Sequence, residues 1–265
     1  MPLADALVEL QALTERLRRD CPWDREQTVR TIVPHTVEEA YEVADAAGAG
    51  DDAKLADELG DLLFQVYFLA LLLSEKGDAD LESVAQGIHA KLVRRHPHVF
   101  GDAEARTAAR VRERWESIKS EQEGREGVFH DVPSALPALR HAHKVQRRAA
   151  AVGYDWPELS GPLAKVREEL DELAAELERA GEPAPETEPD ERVAEEIGDV
   201  LFTLVNVARR LNVDPELALR QTSMKFIARV ERAATLAESR GEDWRTLGLA
   251  EQDRYYDLAK KEAAP

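Results

Sequence analysis

Residues 55–73 read LADELGDLLFQVYFLALLL, and residues 193–211 read VAEEIGDVLFTLVNVARRL. In both stretches apolar residues recur at alternating steps of four and three, the spacing that places side chains on one face of an α-helix. The apolar positions are Leu55, Leu59, Leu62, Val66, Leu69 and Leu73 in the first stretch, and Val193, Ile197, Val200, Leu204, Val207 and Leu211 in the second. We therefore predict two amphipathic helices whose apolar faces are turned towards a core.

The two helices are parts of a longer internal repeat. Each follows an E-E-x-x-E pattern, which spans residues 38–42 ahead of the first helix and 168–172 ahead of the second. The residue pairs that follow also correspond: Lys91 and Arg95 to Lys225 and Arg229, and Trp115 and Lys119 to Tyr256 and Lys260. The offsets between the copies are 130, 138, 134 and 141 residues, so the order is kept while the loops differ in length. We predict two modules, over residues 1–130 and 131–265.

The predicted fold class of both modules is all-α. Aromatic residues make up only 6% of the chain, and no stretch combines strand-like alternation with hairpin turn residues. A capping box at Thr36–Glu39 would begin one helix, and Asp214 before Pro215 would begin another. The predicted helices cover residues 3–19, 36–47, 52–75, 79–95, 104–121, 134–151, 161–180, 190–212, 215–240 and 249–262.

Charge and composition exclude several classes of protein. The chain of 265 residues has 35 Lys and Arg against 53 Asp and Glu, a net charge of −18, which argues against general nucleic-acid binding and against docking on anionic lipid. Cys21 is the only cysteine, which excludes an intrachain disulfide and a cysteine-rich zinc site and favours a reducing compartment. The chain does not open on a signal peptide, and its longest apolar stretch, residues 62–73, is too short to cross a bilayer. We therefore expect a globular cytoplasmic protein.

The repeated acidic residues predict a metal site in each copy. Residues three or four apart share a helix face, so each E-E-x-x-E helix and the next helix can point several carboxylates at one place. The acids are Glu168, Glu169, Glu172, Glu196 and Asp199 in the second copy, and Glu38, Glu39, Glu42, Glu58 and Asp61 in the first. Such a group repels itself without a cation, and oxygen ligands at this spacing suit Mg²⁺ or Mn²⁺. Carboxylate-held Mg²⁺ in turn indicates a phosphate substrate.

The basic pairs and the repeated glycines leave two interpretations open. Lys91 with Arg95, and Lys225 with Arg229, lie one helical turn apart and could hold phosphate oxygens or simply be surface charges. Trp115 and Tyr256 could stack on a base or pack in a core. Gly60 and Gly198 each cost a helix about 1 kcal/mol relative to alanine, which fits close helix packing or close approach of a ligand.

These motifs together resemble the MazG family of nucleoside triphosphate pyrophosphohydrolases over nearly the whole chain. Beyond the acidic sets, the resemblance includes Cys21-Pro-Trp-Asp24, Arg94-Arg-His-Pro-His-Val-Phe100, Trp115-Glu-x-Ile-Lys119 and Val152-Gly-Tyr-Asp-Trp156. It implies tandem all-α modules whose helical bundles are completed in a homodimer. It also implies Mg²⁺-dependent cleavage of nucleoside triphosphates to the monophosphate and pyrophosphate, with broad base tolerance and a role in nucleotide-pool housekeeping or stress response.

The resemblance further implies that the C-terminal copy is the catalytic one. Its carboxylates would be Glu168, Glu169, Glu172, Glu196 and Asp199, with the last four as metal ligands. Its substrate contacts would be Arg192, Lys225, Arg229, Tyr256 and Lys260. The family often has tryptophan where this chain has Tyr256, which leaves base stacking there open. The N-terminal copy is equally complete in its residues, with Lys54 in the place of Arg192.

Two alternative functions remain at this point. One is an enzyme of the same fold with a narrower substrate, such as dUTP or phosphoribosyl-ATP. The other is a non-catalytic nucleotide sensor or partner-binding module, whose Mg²⁺ sites bind without turnover.

Overall fold

The computed structural model describes residues 1–100, 127–129, 132–181, 188 and 190–262. Every regular element in these ranges is a helix, which confirms the all-α prediction there. The chain divides into two compact units, Met1–Glu123 and Gly124–Pro265. The boundary between residues 130 and 131 stays a prediction, and the helix predicted over 104–121, with Trp115 and Lys119, lies outside the described residues.

Eleven α-helices and one 3₁₀ turn are described. The first unit contains α1 (Leu3–Asp20), α2 (Pro22–Glu26), α3 (Val29–Ala49), α4 (Asp52–Ser74), α5 (Leu81–Arg95) and α6 (Pro97–Phe100). The second contains α7 (Ala138–Ala151), α8 (Ser160–Ala180), α9 (Glu191–Arg210), α10 (Pro215–Glu238), the 3₁₀ turn Trp244–Thr246 and α11 (Leu249–Glu262). None of the described helices is both long and apolar enough to cross a membrane.

The helices pack in sequential pairs, and two of the pairs enclose a small hydrophobic core. In the first unit α3 lies along α4, and Ile32 is buried against Phe68 and Leu72. In the second unit α8 lies along α9, and α10 lies along α11. Alanines at the α10–α11 contact leave room for Tyr255, which is fully buried and donates its hydroxyl to Glu242 at 3.0 Å. The repeated acidic residues lie on the pair α3 and α4 in the first unit and on the pair α8 and α9 in the second.

An ion-pair network holds the C-terminal end of α9 in place. Arg209 binds the Asp155 carboxylate, which lies in the segment after α7, at 2.5 and 3.1 Å. Burial alone would raise the pKa of Asp155, but the hydrogen bonds and charge of Arg209 lower it below its ordinary value. Gln146 of α7 also donates to the Phe202 carbonyl at 2.7 Å. These contacts hold α9, the helix that carries Glu196 and Asp199, in position.

Two predicted helix starts are wrong, for reasons of local chemistry. Helix α3 begins at Val29, where Thr28 caps the Thr31 amide and Thr31 returns the hydrogen bond. Thr36 lies inside this helix, and its hydroxyl donates to the Ile32 carbonyl at 3.3 Å, so the predicted capping box at residues 36–39 does not form. Helix α7 begins at residue 138 instead of 134 because Pro137 disfavours helical geometry in the residue before it.

The predicted apolar stripes are core-facing only in part. Leu59 is 49% exposed and Val66 41% on α4, and Ile197 and Leu204 are each 46% exposed on α9. The buried positions of α4 lie elsewhere around the helix, because α3 and α1 cover a different face; they are Glu58, Gln65, Tyr67, Phe68, Ala70 and Leu72. A Cβ built on Gly60 or Gly198 would meet no atom within 4 Å. The described chain therefore leaves these glycine faces open and does not support close packing there.

Candidate active site

Helices α8 and α9 bring three carboxylates of the second copy together. Glu169 comes from α8, and Glu196 and Asp199 come from one face of α9. One oxygen of each side chain lies within 4.8 Å of the others. Glu169 is buried, Glu196 is half-buried and Asp199 is exposed, so the group opens to solvent at one end.

Helices α3 and α4 form the same group in the first copy. One oxygen each of Glu39, Glu58 and Asp61 lies within 4.8 Å of the others. The most buried member is now Glu58 on the second helix of the pair, instead of the acid on the first helix. The sequence repeat thus forms the same three-carboxylate arrangement twice. The buried acid is Glu58 in the first copy and Glu169 in the second.

The carboxylates in both groups act on one another electrostatically. Burial raises the pKa of Glu39 and of Glu58, and repulsion from Glu42 and Asp61 raises both further. Burial likewise raises the pKa of Glu196, with further contributions from Glu172, Asp199 and Glu169. Glu42 and Glu172 therefore lie close enough to act on the three-carboxylate groups. A bound cation would relieve the repulsion that these shifts record.

Lys165 is a residue of the second group that the sequence analysis missed. Its ammonium lies 2.7 Å from Glu169 and 2.8 Å from Glu168, and these hydrogen bonds raise its pKa above the ordinary value. The i, i+4 spacing of Lys165 and Glu169 was a signal for this pair. The offset of 130 places His35 at the same position in the first copy, 3.7 Å from Glu38.

Four further predicted residues are not members of the three-carboxylate groups. Glu168 and Glu38 are exposed, and they contact Lys165 and His35 as described above. Lys54 lies 3.8 Å from Glu58, whereas its counterpart Arg192 lies 3.9 Å from Glu176. The roles assigned to these residues stay predictions.

The predicted phosphate-binding cations of the second copy lie on α10 and α11. Lys225 and Arg229 are on α10 and Lys260 is on α11. No ion pair joins any of the three to a carboxylate within the described ranges. The same is true of Lys91 on α5 of the first copy. These side chains are thus available to an anionic ligand.

Tyr256 also lies on α11, where one side of its ring packs against the core of the second unit. Its ring centroid lies 5.9 Å from that of Phe226, at an interplanar angle of 45°. Phe226 is 58% exposed and was not among the predicted site residues. Its place directly after Lys225 in the sequence was the only signal for it.

Comparison with known proteins places these groups in a family. A model described as the MazG nucleotide pyrophosphohydrolase domain matches twice, over residues 27–100 and 160–233. A nucleoside triphosphate pyrophosphohydrolase of Escherichia coli is 40% identical over 259 residues, which cover 96% of each chain. One from Thermotoga maritima, named nucleoside triphosphate pyrophosphohydrolase/pyrophosphatase MazG, is 37% identical over 95% of this chain and 94% of its own. One from Mycobacterium tuberculosis is 34% identical over 56% of this chain and 46% of its own.

Proposed function

The chain belongs to the MazG family of nucleotide pyrophosphohydrolases, and we propose that it hydrolyses nucleoside and deoxynucleoside triphosphates to the monophosphate and pyrophosphate. It is an enzyme of the nucleoside triphosphate pyrophosphohydrolase class, as relatives matched along nearly their whole length are named. The observation that carries the proposal is the three-carboxylate group that recurs in both copies. Mg²⁺, or Mn²⁺ in its place, is the proposed cofactor.

The donor set fits such a cation. All three ligating side chains in each group are carboxylates, and hard oxygen donors are the ligands of Mg²⁺ and Mn²⁺. Their mutual repulsion in the protein also favours a bound positive charge. In the C-terminal copy Glu169, Glu196 and Asp199 would hold the ion, with Glu172 beside them.

The residues of the chain supply the remaining parts of the reaction. When bound, Mg²⁺ would offset the negative charge that develops on the triphosphate oxygens. One glutamate of the group orients or deprotonates a water molecule. The water oxygen forms a bond to the α-phosphorus, the bond from that phosphorus to the bridging oxygen breaks, and pyrophosphate leaves. The cations on α10 and α11 neutralise the leaving group.

We further propose broad base tolerance and a role in nucleotide-pool housekeeping or stress response, both of which rest on the family resemblance. A cytoplasmic location is part of the same proposal, and it rests on the single cysteine of the chain. The physiological role follows from which triphosphates are hydrolysed, so hydrolysis of a panel of triphosphates tests it directly.

The reaction products test the proposed chemistry. Attack at the α-phosphorus yields a nucleoside monophosphate and pyrophosphate, whereas attack at the γ-phosphorus would yield a diphosphate and orthophosphate. We expect ³¹P NMR of the dGTP and ATP reactions to detect pyrophosphate as the primary product. Orthophosphate formed first would contradict the proposal.

A panel of the common triphosphates with and without Mg²⁺ separates this function from its alternatives. Release confined to dUTP, or to phosphoribosyl-ATP added to the panel, would indicate a narrow enzyme. Nucleotide binding without release of pyrophosphate from any of the triphosphates would indicate a non-catalytic nucleotide sensor.

We propose that the chain is a homodimer, in which a second copy covers the open face of α9. Ile197, Leu201 and Leu204 on this face are each 46–47% exposed in the single chain. Burying such side chains contributes about 25 cal/mol per Å² of apolar surface removed from water, and two-fold pairing is the commonest closed assembly. Gly198 on the same helix would let the second copy approach closely.

Light scattering at micromolar concentration tests the dimer. We expect a mass of about twice 29.6 kDa for the unmodified chain. Leu201→Glu should shift the mass to that of one chain, because a charge would be buried at the interface. Leu249→Glu is the matched control, since Leu249 is 74% exposed at the start of α11, where an acid is tolerated. A single-chain mass for the unmodified protein would contradict the proposal.

A further inference from the structure

Two aromatic rings, one exposed and one half-buried, are in contact between α10 and α11. Phe226 leaves 58% of its surface to solvent, although a large apolar side chain gains free energy by burial. Its ring is tilted 45° to that of Tyr256, with 5.9 Å between the centroids. Tyr256 itself is held by the core that contains Ala233, Ala237 and Tyr255. One ring is therefore fixed in place and the other stands beside it in solvent.

The same surface carries cations that have no partner in the described chain. At about 100° per residue, Phe226 lies roughly 60° around α10 from Arg229 and roughly 100° from Lys225. Lys260 follows Tyr256 by one turn of α11. Lys225, Arg229 and Lys260 form no ion pair within the described residues, so this surface places three cations beside two rings. Its charge is complementary to an anion that also has an aromatic part.

We propose that Phe226 is a specificity-determining residue, which forms with Tyr256 a two-ring platform for the base of the nucleoside triphosphate. This inference rests on the proposed function and extends it to the base. The cations would face the phosphates while the rings contact the base, the combination that proteins use to bind nucleotides without reading their sequence. Phe226 would thus supplement Tyr256, whose single ring is smaller than an indole.

A second copy of the chain is a weaker candidate for this surface. Helix α9 carries the open apolar face that we assign to the dimer, and α10 exposes apolar side chains besides Phe226, among them Leu219 and Ile227. Phe226 differs from these two because its ring lies against a second ring, that of Tyr256. A dimer contact would also have to desolvate Lys225, Arg229 and Lys260, which costs free energy unless the second copy pairs each of them with an acid. A triphosphate brings its own negative charges to all three.

The platform predicts which bases are favoured. Ring stacking accepts every base because each has a π-face, so it allows broad tolerance. Purines cover more ring surface than pyrimidines, and purine triphosphates should therefore bind more tightly. The first copy has Leu92 at the position that corresponds to Phe226 by the offset of 134, so it lacks this ring. Phe226→Leu thus converts the second copy to the residue of the first.

Steady-state kinetics of Phe226→Leu test the proposal. We expect KM for ATP and dGTP to rise about tenfold, KM for dCTP to rise less, and kcat to stay within about twofold. Competitive inhibition by inorganic tripolyphosphate, which has no base, should be unchanged. Phe226→Trp should restore the low KM. Met224→Leu is the matched control, since Met224 is an apolar side chain on the same helix with 44% of its surface exposed.

Several outcomes would overturn the inference. An unchanged KM for ATP in Phe226→Leu would show that Phe226 does not contact the base. An equal loss of affinity for ATP and tripolyphosphate would indicate an electrostatic or structural role, and a fall to the single-chain mass in light scattering would indicate a dimer contact. Calorimetric titration with α,β-methylene-ATP separates this inference from the proposed function. If the unmodified chain binds this analogue more tightly than Phe226→Leu does but releases no pyrophosphate from ATP, the two-ring platform is supported and the proposed hydrolysis is contradicted.

Discussion

Asp199→Ala and Glu172→Ala should each reduce pyrophosphate release by about a thousandfold or more, a loss of roughly 4 kcal/mol of transition-state stabilisation. Asp199 belongs to the three-carboxylate group on α8 and α9, and Glu172 raises the pKa of Glu196 within it. Loss of Asp199 removes a ligand, and loss of Glu172 removes a negative charge beside the cation; either change also disturbs the alignment of the cation on the triphosphate. Initial rates of pyrophosphate release from dGTP at saturating Mg²⁺ measure the effect.

The matched control variants are Asp61→Ala and Glu42→Ala in the first copy. They remove the corresponding acids from an equivalent group on α3 and α4, and we expect them to keep most of the activity because the family resemblance assigns catalysis to the second copy. All four variants should keep their helical circular dichroism, since removing one acid from a self-repelling group does not destabilise the helices. Loss of activity in Asp61→Ala together with an active Asp199→Ala would reverse the assignment of the catalytic copy.

Removal of divalent metal should abolish turnover completely. Without a cation, the carboxylates of each group repel one another and also the incoming triphosphate, so neither the substrate nor the water would be held in position. Protein treated with EDTA and returned to metal-free buffer is expected to release no detectable pyrophosphate from dGTP or ATP. Added Mg²⁺ or Mn²⁺ should restore the rate, and Ca²⁺ of equal concentration controls for charge alone.

A full rate in chelated protein would contradict the metal requirement. Circular dichroism of the chelated sample is the control for folding, because a loss of helix would also abolish activity.

The sequence alone could predict the acidic groups because helix geometry is local. Glu196 and Asp199 are three residues apart, so they share a face wherever α9 lies. The repeat then indicated that Glu168, Glu169 and Glu172, on the preceding helix, belong with them, and of these the three-carboxylate group contains Glu169. The structure places Glu169, Glu196 and Asp199 together. The i, i+3 and i, i+4 spacing puts Glu168 and Glu169 within reach of Lys165, but whether each contact forms depends on side-chain rotamers and not on helix periodicity.

Features that depend on packing between helices could not be predicted. The periodicity identified Leu59 and Ile197 as apolar positions, but whether such a position is buried depends on the neighbouring helix, and both remain nearly half exposed. The contact of Phe226 with Tyr256 crosses from α10 to α11, residues 30 apart in the chain. The predicted start of α3 at Thr36 was wrong because Thr28, which lies earlier in the chain, is the residue that caps the helix.

Metal binding can be measured without turnover, and it shows whether the carboxylate groups hold a divalent cation. Titration with Mn²⁺, followed by the EPR signal of the free ion, measures binding without turnover. The comparison is between the unmodified chain and a chain that carries Glu58→Gln, Asp61→Asn, Glu196→Gln and Asp199→Asn, substitutions that keep side-chain size. We predict that the unmodified chain removes Mn²⁺ from solution and that the fourfold variant, with unchanged circular dichroism, leaves the free-ion signal almost undiminished. Equal Mn²⁺ binding by the two chains would contradict the account.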